Sequence, residues 1–131
     1  MAWLSKPEPM ARVRARRKRA EKKVKDVTRA EVARRDGYCR FTDAPDEFDA
    51  VVGPCEGKSE RNHLRKQSLT RNQDAEVRHS PATSIMNCKR HHDMVDQHKI
   101  QHEALTAAGA KGPMRFTSGG VSYVSTPRGV A

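Results

Sequence analysis

The sequence predicts a small α+β domain whose core is too thin to hold without a staple. Three observations carry that expectation. The chain has 131 residues, of which 35% are hydrophobic and only 5% aromatic. Two short strand patterns precede a helix pattern, and a glycine turn marks a hairpin near the C-terminal end. The cysteines number three, so they cannot all pair within one chain. A chain of this length accommodates one domain. A core so poor in large apolar side chains needs a disulfide or a structural metal.

The elements follow in chain order. Trp3-Leu4 gives way at once to Lys6-Pro7-Glu8-Pro9, which does not read as a signal peptide. No stretch approaches the ~20 apolar residues of a membrane span. A soluble protein in a reducing compartment is expected, where spaced cysteines bind metal more often than they pair. Residues 10–27 carry good helix formers without Gly or Pro, but almost no apolar stripe, so a helix there gains little from packing. A firmer helix is expected from Thr28 as N-cap, with Glu31 completing a capping box and Gly37 closing the end.

Tyr38-Cys39-Arg40-Phe41 then reads as extended, and the acidic run over 43–49 reads as a loop. Ser59 to Arg65 fits a short strand, residues 66–82 a polar loop, and Thr83 to Met86 a second strand. Lys89 to about Leu105 reads as a helix with Met94, Ile100 and Leu105 as apolar positions. Met114–Thr117 and Val121–Val124 flank Ser118-Gly119-Gly120, the pattern of a hairpin with a three-residue turn. The expected divisions are a basic arm over 1–27, a central domain over 28–105 and a hairpin extension over 106–131.

Charge is unevenly placed. The net charge is +10, and residues 1–35 hold thirteen of the 26 Lys and Arg against four acids. Such a segment is an electrostatic footprint for a polyanion, phosphate backbone being the usual one. Arg12, Arg14, Arg16, Arg17, Lys18, Arg19, Lys22 and Lys23 are its candidate contacts, with Arg65 beyond it. The competing reading is a solvated, disordered tail, and the two overlap because such arms often order on nucleic acid.

The metal-ligating residue types gather in the second half. His92 and Asp96 stand four apart on the expected helix, so they share a face and can grip one divalent cation. His98 and His102 form a second such pair, read as a solvated face. Cys88-Lys89-Arg90-His91 is a C-x-x-H step at a strand-to-helix junction, with Cys39 and Cys55 upstream beside turn residues. Together Cys39, Cys55, Cys88 and His91 would make a tetrahedral Cys3His zinc site, the staple the core lacks. Three unrelated buried thiols are the alternative.

Taken in order, Tyr38-Cys39-Arg40-Phe41, Cys55, Glu60-Arg61-Asn62-His63-Leu64-Arg65 and Cys88-Lys89-Arg90-His91-His92-Asp93-Met94-Val95 resemble the HNH (His-Asn-His, ββα-metal) endonucleases of phage and bacteria. The resemblance covers about residues 28–102. It implies a zinc-stabilised ββα-metal domain that hydrolyses DNA with little sequence specificity, leaving 5′-phosphate and 3′-hydroxyl ends. It places His63 as the general base. Asn62, His92 and Asp96 become ligands of a catalytic Mg²⁺ or other divalent cation. It implies the cytoplasm of a bacterium or a phage-infected host, and leaves open a phage or host DNA-processing complex as the setting. Asn62 stands where Asp or His is usual, Thr83 where the middle Asn is usual, and the common Gly-Gly after the first strand is absent. Asn62 and Thr83 favour the alternative, a zinc-stabilised nucleic-acid-binding module without catalysis. A purely structural phage or assembly protein ranks third.

Overall fold

The computed structural model describes residues 7–64 and 79–127. Arg65 and most of the loop expected over 66–82 lie outside the described residues. Within them the architecture is mixed α+β, with three α-helices and two small antiparallel sheets. No helix among the described residues is long and apolar enough to cross a membrane.

Helix α1 spans Met10–Asp36, about 40 Å at 1.5 Å per residue. Thr28 is therefore not an N-cap: it lies inside α1 and is buried with Val32 and Asp36. Packing of these three side chains holds the C-terminal part of the helix. No Gly or Pro interrupts it toward the N-terminus, so the helix propagates through the basic segment. Gly37 ends it as expected, at φ 70°, its N–H donating to Ala33 O at 2.8 Å.

Residues 38–41 are not extended. They form tight turns, with Thr42 N donating to Cys39 O and Ala44 N to Phe41 O, both at 3.1 Å. The acidic run is a loop only over 43–45; from there helix α2 spans Asp46–Val52. Asp46, Glu47 and Asp49 lie in its first turn, where negative charge complements the helix dipole. Phe48 and Val52, one turn apart, face the core.

Strands β1 (Ser59–His63) and β2 (Ser84–Cys88) pair antiparallel, Ser59 opposite Cys88 and His63 opposite Ser84. A short 3-10 turn, Pro81–Thr83, leads into β2. Helix α3 begins at the residue after β2 and spans Lys89–Asp96, packing on both strands. It stops well before Leu105. His98 sits at φ 59° while His98 N–H donates to Val95 O and Lys99 N–H to Met94 O, the two bonds of a Schellman ending. The chain then forms β3 (Gln101–Ala104), which pairs with β4 (Met114–Ser118), and β4 with β5 (Val121–Ser125). The His98 and His102 pair thus does not share a helical face.

The β4–β5 hairpin matches expectation except at its turn. Ser118 pairs with Val121, so the loop has two residues, Gly119 and Gly120, at φ 54° and 80°. Positive φ at both positions is what a type I′ turn demands.

One core joins the sheets. Phe41 stacks on Phe48, meets Phe116 edge-on at 4.6 Å between centroids, and meets the His91 ring at 5.1 Å. Beside it lies a buried ion network. Asp36 accepts from Arg35, from Arg40 Nη1 at 3.1 Å and from Met86 N–H at 3.1 Å. Arg40 also donates to Ser125 Oγ and to the carbonyls of Ala110 and Gly112, so its buried guanidinium is well satisfied.

Candidate metal centre and cleft

Four ligating atoms come together where the turn after α1, the loop after α2 and the β2–α3 junction meet. One atom from each of Cys39, Cys55, Cys88 and His91 lies within 4.8 Å of every other. His91 Nδ1 is 3.2 Å from Cys88 Sγ, 3.5 Å from Cys39 Sγ and 3.7 Å from Cys55 Sγ. Tetrahedral zinc with Zn–S bonds of ~2.3 Å and Zn–N of ~2.0 Å would place S and N about 3.5 Å apart. The observed spread brackets that span, so the group is compatible with binding a metal such as zinc.

The surroundings favour the same chemistry. His91 Nε2 lies 2.9 Å from Gly53 O, so the ring N–H donates there and the lone pair falls on Nδ1, toward the sulfurs. Burial pushes the Cys39 and Cys55 thiols up, as does the coulombic influence of the neighbouring cysteines. A bound cation offsets that cost of ionising clustered thiols. Gly53, at φ 80°, brings this carbonyl to the ring, and a Cβ there would lie 2.7 Å from Arg90 Nη1.

A second cluster lies on β1 and α3. His92 Nδ1 is 2.6 Å from Glu60 Oε2, and His92 Nε2 is 3.2 Å from Asp96 Oδ2. The carboxylates flank the ring on opposite edges, so the three donors do not converge as the cysteine group does. Glu60 is the residue that sequence reasoning missed. Its only signal was a carboxylate three residues before His63 on a strand, meaningful once β1 lies beside α3. Asn62 is 1% exposed and its amide nitrogen has no partner among the described residues.

His63 ends β1, where Leu64 N–H donates to Thr83 O at 2.8 Å. Thr83 Oγ1 in turn donates to Ser80 O at 3.2 Å, so the hydroxyl does order this turn. Burial, then the coulombic influence of Arg61, His79, Lys25 and His92, push His63 down to about 4. The imidazole is therefore neutral at pH 7. It lines two clefts. One, of about 280 Å³, also holds Asp96, His98 and His102; the other, of about 490 Å³, holds Glu60 and the cations Lys22, Lys25, Arg29 and Arg61. Among the described residues, Lys22 alone of the expected phosphate contacts lines this basic groove. Arg12, Arg14, Arg16, Arg17, Lys18, Arg19 and Lys23 lie elsewhere along α1. Lys25, Arg29 and Arg61 become groove residues only once α1 is laid against β1.

No family model, curated protein or solved structure matches the chain.

Proposed function

We propose that the protein is a metal-dependent endonuclease that hydrolyses DNA phosphodiester bonds, its fold held by a structural zinc on Cys39, Cys55, Cys88 and His91. The observation that carries this reading is the position of His63. A neutral imidazole stands where a cation-lined groove and an Asp96-lined cleft meet.

The groove cations Lys22, Lys25, Arg29 and Arg61 bind backbone phosphates, which orients the substrate without reading its sequence. His63 accepts the proton of the attacking water. Glu60 accepts from His92 Nδ1–H, which leaves Nε2, on the Asp96 side, as the nitrogen that would ligate a cation held between the two. His92 and Asp96 would hold the divalent cation, which when bound supplies charge for the phosphate and the leaving oxygen. The buried Asn62 supports a second reading, a zinc-stabilised nucleic-acid-binding module without catalysis.

A plasmid-nicking assay separates the two. Zinc-loaded protein is expected to cut supercoiled DNA with Mg²⁺ or Mn²⁺, and His63→Ala to cut on the order of 10²–10⁴-fold more slowly with unchanged DNA affinity. Plasmid bound but left intact under every divalent cation would leave the binding module as the function.

A further inference from the structure

We propose that His79 and Glu21 form a positioning dyad for His63, fixing the tautomer and orientation of the imidazole. The inference rests on the reading of His63 as the base and adds two residues to it. His79 Nδ1 lies 3.4 Å from His63 Nε2, and His79 Nε2 lies 3.0 Å from Glu21 Oε1. The two rings meet edge to face at 70°, their centroids 5.6 Å apart. The His79 side chain is 2% exposed, so its nitrogens depend on these protein partners rather than on bulk water.

The direction of the chain is set from the Glu21 end. An ionised carboxylate only accepts hydrogen bonds, so the proton of His79 sits on Nε2. With His79 carrying that single proton, its other nitrogen is the acceptor. His79 Nδ1 must therefore receive its hydrogen bond, and His63 gives it from Nε2–H. The lone pair of His63 falls on Nδ1. A base held by an acceptor that is itself held by a carboxylate is the general arrangement of an oriented catalytic imidazole. The three residues come from distant parts of the chain: Glu21 from α1, His79 from the turn before β2, and His63 from the end of β1. Helix α1 thus carries a carboxylate for the cleft as well as cations for the groove.

A merely structural tie between α1 and the body would also fix the His79 tautomer, so a kcat loss at unchanged KM is the readout that separates positioning from stability. The test is a long-range ¹H–¹⁵N histidine spectrum of the full zinc-loaded chain near neutral pH. His63 and His79 are both expected as the Nε2–H tautomer. His79→Ala would empty a buried site, so Glu21→Ala, at a partly exposed position on α1, carries the comparison. It is expected to mix the tautomers of both rings and to lower kcat for plasmid cleavage by roughly 10–100-fold, with KM within about twofold. Glu21→Gln, whose amide oxygen can still accept, is expected to recover part of both signals. An Nδ1–H tautomer at His63 in the unaltered protein would overturn the dyad. So would Glu21→Ala with both the tautomers and kcat unchanged. A protein showing the expected tautomers yet cutting no DNA would uphold the dyad's assignment and reject the nuclease reading instead.

Discussion

Asn62 and Asp36 are both nearly inaccessible, at 1% and 3% exposure, yet only one of them is a carboxylate. Arg35, Arg40 and the Met86 N–H all donate to Asp36, so its buried carboxylate is well satisfied. The amide nitrogen of Asn62, by contrast, finds no partner among the described residues. A charge placed there must find a positive group or take up a proton. Asn62→Asp, which restores the commoner ligand of the resembled family, is therefore expected to lower stability by roughly 2–4 kcal/mol at neutral pH. Urea unfolding checks this through a lower midpoint at unchanged slope. Wild-type stability together with faster cleavage would mean that the side chain turns toward His92 and Asp96. Residue identity made the Cys/His group legible. It could not reveal Glu60, because a glutamate on a strand is ordinary until the helix beside it is known.

At the scale of elements, α1 combines two roles along its length. Its N-terminal half is largely exposed and basic, while Thr28, Val32 and Asp36 anchor its C-terminal half. Removing residues 1–18 deletes Lys6, Arg12, Arg14, Arg16, Arg17 and Lys18 but keeps Glu21 and the buried anchor. The truncated chain is expected to fold, bind zinc and bind DNA more weakly. Its log–log salt slope should flatten by about 0.9 for each phosphate that the shortened arm no longer neutralises. An unchanged slope would assign DNA binding to the groove and not to the arm. The β4–β5 hairpin was readable because Gly-Gly leaves few backbone alternatives. The end of α3 was not. Residues 97–99 hold no Gly or Pro, His98 takes the left-handed position instead, and β3 is exposed throughout, without the alternation that marks a strand.

The whole molecule depends on two tertiary ties. Arg40 links α1, through Asp36, to β5 and to the segment before β4. The Cys/His group links the turn after α1, the loop after α2 and the start of α3. Protein purified without added metal is expected to carry one zinc per chain by elemental analysis. Cys88→Ala is expected to lose both the zinc and cooperative thermal unfolding, because the metal's binding energy is part of the folding energy in so thin a core. A Cys88→Ala protein that melts cooperatively at the wild-type temperature would remove the group's structural role.

The sequence by itself determined the mixed α+β class, the identity of the four clustered Cys and His residues, the concentration of positive charge and the C-terminal hairpin. These follow from ligand chemistry, composition and glycine, which act locally or need no knowledge of neighbours. Only the tertiary structure decided where α1 begins, that the acidic run is helical from Asp46, that α3 stops at Asp96, and which groups face His63. Those outcomes turn on burial and on partners distant in the chain. Phe48 and Val52 find a core, and β3 finds β4. Glu21 meets His79 across 58 residues of sequence, and His79 meets His63 across 16. Such pairings leave no local signal, because the residues that form them are ordinary in type and meet only when distant segments pack together.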